Sequence, residues 1–162
     1  MKMMSLMILF STLVPPESPA EVPNNKHFWH SIETEAPPAQ IWTVWTDVNR
    51  WHEWDSGLHA AEMATTFEEG SKGYIISLEG RKSKFKVIDY EEGLSYTFRT
   101  PLLFSSLHVK RYLRTSNGKT TITHEVWFKG LTAGLFAKRF GPKFREMLPT
   151  VMEKVIEKAK AL

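Results

Sequence analysis

The sequence predicts an α+β fold in which a curved antiparallel sheet of six to seven strands wraps around a long C-terminal helix. An apolar stripe with helical spacing runs from Phe136 to Leu162, and a shorter helical pattern follows Pro38. Between them, residues 58–129 contain short runs of strand-forming residues separated by turn dipeptides. This order of elements indicates a sheet held between helices.

The composition limits the chain to one domain. With 162 residues, it is long enough for a substantial core and short for two domains. The formal charge of +3 comes from lysines and arginines interleaved with acidic residues, which gives little support to nucleic-acid binding. The absence of cysteine excludes disulfides, thiolate metal sites and a cysteine nucleophile.

The first 25 residues are expected to lie outside a folded domain of residues 26–162. After Met1-Lys2, an apolar run from Met3 to Val14 leads to Ser18-Pro19-Ala20, the order of a short secretory signal. The run is too short to span a membrane, and a flexible extension explains it equally well. The sequence therefore leaves the localisation unknown: the protein is expected in the cytoplasm or, if residues 1–20 act as a signal peptide, outside it.

Two short helices are expected after the first strand. Ala36-Pro37-Pro38 ends that strand and supplies a proline for the first turn of a helix over Pro38–Thr46. The second helix is predicted over Asn49–Trp54. Its two tryptophans, Trp51 and Trp54, are expected in the core or at the end of a pocket.

The turns set the predicted strand registers. A two-residue loop at Glu79-Gly80-Arg81-Lys82 pairs Tyr74 with Val87 and Ile76 with Phe85. An even-numbered turn at Glu91-Glu92-Gly93 then places on one inner face the residues Phe85, Val87, Asp89, Tyr96 and Phe98.

Asn117-Gly118 is a stronger hairpin signal, because these residues suit the left-handed backbone of a type I′ turn. This turn predicts the inner-face pairs Leu107–Phe128, Val109–Val126, Arg111–His124 and Leu113–Ile122. The opposite face carries Lys110 beside Glu125, as expected for a solvated side.

The main C-terminal helix is predicted from about Pro142 to Ala161. Its apolar residues recur every three or four positions, as at Phe144, Leu148 and Val151. Pro142 suits a first helical turn, and Pro149 is expected to kink the helix. A curved sheet around such a helix leaves a cavity, because side chains alone fill a concave face poorly.

These features together resemble a known superfamily. A strand, a Pro37-x-x-x-Ile41-Trp42 helix, a Trp51-x-x-Trp54-Asp55 helix, a strand meander and a long last helix are similar to the START-related (SRPBCC) proteins of polyketide cyclase/dehydrase and lipid transport. The resemblance covers about Lys26 to Leu162. It implies the helix-grip fold of a birch-pollen allergen and a ligand site in the cavity, on a scaffold that serves many functions.

The cavity is expected to bind a small hydrophobic ligand such as a lipid, quinone or polyketide. Arg111 and His124, with Tyr96, are expected to orient or polarise a carbonyl or hydroxyl of that ligand, although an internal hydrogen-bonded cluster would explain the same polar groups. The predicted ligand-binding residues are Tyr74, Ile76, Phe85, Val87, Tyr96, Phe98, Val109, Arg111, Ile122, His124, Val126, Phe128, Phe144, Leu148 and Val151.

Catalytic signatures are missing from the sequence. It has no nucleophile elbow, metal-protease motif, Walker loop or Rossmann glycine pattern. None of the histidines has the spacing of a zinc pair, and His27 and His30 should point to opposite strand faces, so neither metal nor cofactor is expected. A ligand carrier or sensor is the first interpretation. A cyclase-like enzyme with His124 as its acid or base is the second, and an interaction or stress-response adaptor is the third.

Overall fold

The computed structural model describes residues 24–162. The predicted extension or signal peptide lies outside the described residues, except for Asn24 and Asn25. The elements in chain order are β1 (His27–Thr34), α1 (Pro38–Thr46), a 3₁₀ helix (Val48–Glu53), β2 (Leu58–Glu62), β3 (Lys72–Ser77), β4 (Lys82–Glu91), β5 (Ser95–Leu102), β6 (Ser105–Ser116), β7 (Lys119–Gly130) and α2 (Ala133–Lys160).

The seven strands form one antiparallel sheet that curls around α2. Their order is β1-β7-β6-β5-β4-β3-β2, so β2 to β7 form a meander and β1 joins its far edge beside β7. Helix α2 packs against β1, β7 and α1. The predicted fold class, a helix-grip arrangement of an antiparallel sheet and a long last helix, is confirmed.

Helix α1 has the predicted bounds because the local sequence favours them. Pro38 occupies the first turn, where its missing N–H is no loss, and the helix buries Ile41 and Trp45, four residues apart. The second short helix is a 3₁₀ helix displaced by one residue from the prediction. Its tryptophans are buried as expected, with Trp51 1% and Trp54 2% exposed.

The predicted start of the last helix is wrong. Helix α2 begins at Ala133, so Pro142 and Pro149 both lie inside it. The first half buries small residues, Ala133, Ala137 and Gly141, which do not contribute to a pattern of large apolar side chains. At Gly141 an added Cβ would lie 2.4 Å from the Asn25 carbonyl oxygen, so the small residues allow close backbone approach.

The register of β6 with β7 is confirmed throughout. Arg111 pairs with His124, Val109 with Val126, and the outward-facing Lys110 with Glu125. Asn117 and Gly118 both have positive φ, 52° and 76°, as the predicted turn requires.

The predicted register of β3 with β4 is wrong by an odd number of residues, which exchanges the two faces of β3. Tyr74 pairs with Lys84 and Ile76 with Lys82, because the chain turns through a longer loop in which Gly80 has a φ of 79°. The Tyr74 ring lies on the outer face, where the Lys82 ammonium is 4.3 Å from its centroid. Ile75 faces inward in place of its neighbours.

The predicted inward position of Asp89 is also wrong. A β-bulge between Val87 and Asp89 shifts the register of β4 against β5. Asp89 is therefore exposed on the outer face, where its carboxylate lies 3.8 Å from the Lys110 ammonium. The residues before the bulge stay inward, since Val87 pairs with Phe98 and both are buried.

Aromatic rings join the 3₁₀ helix to the inner face of the sheet. The Trp51 ring stacks on Phe85 at a centroid distance of 5.4 Å and contacts Phe98 at the same distance. Phe85 lies against Gly73, where an added Cβ would be 2.6 Å from the phenyl ring. The absence of a side chain at Gly73 thus allows the ring to reach the tryptophan.

We expect Gly73→Ala to lower the free energy of unfolding by about 1–3 kcal/mol, because the new methyl group overpacks the Phe85 site. Denaturant unfolding measures the change. Gly134→Ala is the matched control, since Gly134 is exposed in α2 with no atom near an added Cβ, and alanine there should leave stability equal or raise it by up to about 1 kcal/mol. Equal effects of the two changes would contradict the packing argument.

Candidate functional site

A cavity of about 120 Å³ lies between the inner face of the sheet and α2. Its walls are mostly apolar, and three polar side chains, Asp55, Arg111 and His124, reach it. The lining residues are Trp51, Asp55, Gly57, Leu58, Ile75, Phe98, Leu107, Val109, Arg111, His124, Val126, Phe144, Met147, Leu148 and Val151.

The structure brings part of the predicted site together. The predicted residues that line the cavity are Phe98, Val109, Arg111, His124, Val126, Phe144, Leu148 and Val151. Those that are buried in the core without lining it are Phe85, Val87, Tyr96, Ile122 and Phe128. Tyr74 and Ile76 lie on the outer face and away from the cavity.

Sequence reasoning missed several lining residues for different reasons. Ile75 is missed because of the register error. Leu107 and Met147 lie on the predicted apolar faces of β6 and of the last helix, but they were not included among the predicted ligand-binding residues. The positions of the Asp55 and Leu58 side chains depend on the path of the chain after the 3₁₀ helix, and no periodic sequence pattern predicts that path. The Trp51-x-x-Trp54-Asp55 motif was the only available signal for Asp55.

Arg111 is the most constrained polar group in the cavity. It is 2% exposed, and a cage of aromatic rings surrounds its guanidinium. The Cζ atom lies 4.8 Å from the ring centroids of both Trp51 and Trp54, 5.5 Å from Phe98 and 5.8 Å from Tyr96. The electron-rich faces of these rings stabilise the cation in a place where water does not reach it.

A short chain of hydrogen bonds fixes the guanidinium. Arg111 Nη1 donates to the Tyr96 hydroxyl at 2.7 Å, and that hydroxyl donates to the Trp45 carbonyl oxygen at 3.0 Å. Trp51 Nε1 donates to the same carbonyl at 2.9 Å. The end of α1 thus anchors both Tyr96 and Trp51, so Tyr96 positions Arg111 and does not face the cavity itself.

The charge of Arg111 is incompletely satisfied. No carboxylate among residues 24–162 forms an ion pair with it. Its Nε atom is buried without an acceptor in the same part of the chain. A buried N–H without a partner is costly, and a buried charge without an anion more so.

His124 lies beside Arg111 on the adjacent strand and is 6% exposed. Burial lowers the pKa of its imidazole well below 6.5, and the neighbouring Arg111 charge lowers the pKa further. The ring is therefore neutral at pH 7, with one nitrogen able to donate and one able to accept a hydrogen bond. His30 pairs with His124 on the other side, so the same inner-face row continues into β1.

Asp55 supplies a carboxyl group to the cavity lining. Burial raises its pKa, while Arg111 and the Gly57 N–H, which donates to Asp55 Oδ1 at 3.0 Å, act in the opposite direction. Desolvation is the largest influence, which makes this carboxyl a candidate proton donor. The cavity thus combines a fixed cation, a neutral imidazole and a carboxyl with a raised pKa.

Residues 24–162 contain no cluster of three His, Cys, Asp or Glu side chains that could hold a metal ion. In the same range, no helix is long and apolar enough to cross a membrane.

Solved structures share this fold at low sequence identity. Hypothetical protein jhp0584 from Helicobacter pylori superposes with a TM-score of 0.70 at 10% identity, covering 98% of this chain and 99% of that one. A protein from Thermus thermophilus, TTHA0849, gives 0.65 at 13% identity, with coverages of 83% and 97%. Norcoclaurine synthase from Thalictrum flavum, solved with a transition-state analogue, gives 0.64 at 14% identity, with coverages of 84% and 94%.

Comparison with curated protein sequences finds no match. A family model described as polyketide cyclase/dehydrase and lipid transport matches residues 26–162, the strands and helices that enclose the cavity. Family and fold both fit a protein that binds a hydrophobic ligand or resembles a polyketide cyclase. This chain belongs to the polyketide cyclase/dehydrase and lipid transport family.

Proposed function

We propose that the protein is a carrier or sensor that holds a small hydrophobic ligand in the cavity between the sheet and α2, with an anionic or carbonyl end of the ligand directed at Arg111. The observation that carries this proposal is the buried guanidinium, which lines an apolar cavity and forms no ion pair with a carboxylate among the described residues. A group that only braced the fold would be expected to pair with an acid.

The size of the cavity limits how much of the ligand it can enclose. An engineered protein cavity of about 150 Å³ binds benzene, and the volume here is about 120 Å³. The enclosed part of the ligand therefore has the size of one ring or a short acyl end. Longer ligands extend past Phe144 and Met147, which are only partly buried at the helix side of the cavity.

The family and its fold support a hydrophobic ligand without choosing among lipids, quinones and polyketides. His124 contributes a neutral hydrogen-bonding group beside the cation. With Arg111 it forms a paired recognition element for a carbonyl, carboxylate or hydroxyl oxygen.

A cyclase-like enzyme is the second candidate, and a specific feature favours it. Asp55 and His124 are an acid with a raised pKa and a base with a lowered pKa that reach one cavity. Arg111 is placed between apolar walls, where a cation stabilises an enolate oxygen more strongly than in water. Such a set can move a proton next to a carbonyl group.

The carrier proposal predicts a preference for carboxylates that depends on Arg111. Arg111→Met should weaken the binding of 4-phenylbutyrate by about 1.5–3 kcal/mol, the contribution of a charged hydrogen-bonding partner. It should weaken the binding of 4-phenylbutan-1-ol much less. Isothermal titration calorimetry measures both. Because methionine replaces a buried charge with an apolar chain, the free energy of unfolding should stay within about 1 kcal/mol of wild type or rise.

Lys110→Met is the matched control for that experiment. Lys110 precedes Arg111 on β6 and faces outward, with its ammonium 3.8 Å from Asp89. The Lys110→Met substitution should leave the affinities for 4-phenylbutyrate and 4-phenylbutan-1-ol unchanged. A large loss of stability in Arg111→Met with unaltered 4-phenylbutyrate binding would assign Arg111 a purely structural role and reject the proposal.

Acid should destabilise the protein through His124. The folded state keeps the imidazole neutral, whereas the unfolded chain protonates it near pH 6.5, so the unfolded state binds more protons as the pH falls. The free energy of unfolding should drop below pH 6.5 by at most about 1.4 kcal/mol per pH unit from this group. His124→Phe should flatten this slope in denaturant titrations, while an unaltered slope would show that His124 titrates normally.

The enzyme candidate predicts proton exchange at a bound ketone. Phenylacetone, with one ring and one carbonyl group, should exchange its α-hydrogens for deuterium faster in the presence of the protein, as followed by NMR. His124→Phe or Asp55→Asn should slow the exchange by about 10²–10⁴-fold, the usual range for a general acid or base. Exchange at the buffer rate with the wild-type protein would exclude this candidate and leave the carrier proposal intact.

A further inference from the structure

An exposed apolar patch lies at one end of the sheet, where two turns meet. Leu103 and Phe104 form the β5–β6 turn and are 67% and 72% exposed, and Leu131 and Leu135 at the start of α2 are 89% and 69% exposed. The Leu131 N–H donates to the Phe104 carbonyl at 3.0 Å, and the Thr132 hydroxyl donates to that of Leu103. We call Leu103, Phe104, Leu131 and Leu135 the apolar tip.

The backbone of the apolar tip is unfavourable for folding. Phe104 has a φ of 53°, a left-handed conformation that suits glycine or asparagine and disfavours a bulky residue. The β6–β7 turn of the same protein uses Asn117 and Gly118 at such positions. Because the Phe104 ring is exposed, its burial within the chain does not compensate for the strain, and strained residues of this kind concentrate at functional sites.

Positive charge surrounds the apolar tip. Lys129, Lys138 and Arg139 are exposed, and none of them forms an ion pair with a residue in the described range. Lys138 and Arg139 follow Leu135 by three and four residues, so they share its helix face. The sequence contains no Asp or Glu between Val126 and Arg145. An apolar surface with a basic border matches the chemistry of an anionic lipid surface.

We propose that the apolar tip docks the protein on anionic membranes, with its four side chains entering the acyl region and the bordering cations contacting lipid phosphates. A ladder of stacked rings leads inward from this surface. Phe136 stacks on Phe140 with a centroid distance of 6.1 Å, and Phe140 on Phe144 with 6.3 Å. Since Phe144 lines the cavity, the ladder provides an apolar route between a bilayer and the site.

Sedimentation of the full chain with lipid vesicles tests the docking proposal. The protein should bind vesicles of phosphatidylcholine mixed with phosphatidylglycerol at least about tenfold more tightly than pure phosphatidylcholine vesicles, and added salt should weaken the binding. Lys138→Gln with Arg139→Gln should reduce affinity for the mixed vesicles about fivefold per charge removed. Absence of binding to the mixed vesicles, or equal binding to both, would overturn the proposal.

A paired variant separates docking from folding. Leu103→Ser with Phe104→Asn should lower vesicle affinity by at least about tenfold while the melting temperature stays the same or rises, because asparagine tolerates the left-handed backbone. Leu94→Ser is the control, since Leu94 is 46% exposed at the β4–β5 turn, the opposite end of the sheet. Equal vesicle binding by the two variants would refute the proposed surface.

A second copy of the chain is the competing occupant of the patch. Concentration-dependent dimerisation in sedimentation velocity, lost in the Leu103→Ser, Phe104→Asn variant, would assign the patch to self-association and overturn the membrane proposal. A monomer that binds anionic vesicles supports it. Calorimetry with 4-phenylbutyrate in the absence of vesicles measures binding in the cavity alone. A failure of the docking proposal can therefore be distinguished from a failure of the cavity proposal.

Discussion

The enclosure of one guanidinium group determines how the interior of this protein is arranged. A charge removed from water needs either an anion or an ordered set of weaker partners. Here four aromatic rings and the Tyr96 hydroxyl hold Arg111, and the Trp45 carbonyl orients both Tyr96 and Trp51. Arg111 therefore contacts rings of the 3₁₀ helix and of the central strands, and the Trp45 carbonyl connects them to the end of α1.

The surroundings of the cation leave its charge available to a ligand. Burial keeps His124 neutral, so its imidazole does not oppose the guanidinium, and burial also raises the pKa of Asp55. The cavity is thus apolar in its walls and positive at one point. Such an arrangement reduces stability relative to a packed apolar interior.

Local chemistry explains which parts could be predicted from the sequence. The Asn117-Gly118 turn tolerates few registers, so the Arg111–His124 pair followed directly from the residues. Gly80 is compatible with several loop lengths, and the bulge before Asp89 leaves no mark in the apolar pattern. The start of α2 was predicted too late because Pro142 suits a first helical turn, although the apolar stripe already begins at Phe136.

The site was predictable only where it coincided with regular structure. The inward residues of β6, β7 and α2 follow from periodicity, and many of them line the cavity. Asp55 lies just beyond the 3₁₀ helix, and its direction depends on how that helix packs on the sheet. Tertiary packing, which a single sequence does not encode as a pattern, brings this carboxyl to the same cavity as the cation.

The pairing of β1 with β7 also orders events during protein synthesis. His27 pairs with Trp127 and Thr34 with Thr120, so β1 emerges before the other six strands of the sheet but has no partner until β7 follows. Strands β2 to β6 can form hairpins with near neighbours as they emerge, since such local contacts form fastest. Until β7 and α2 are translated, β1 has an unpaired edge and Phe28 lacks the neighbours that bury it in the folded protein.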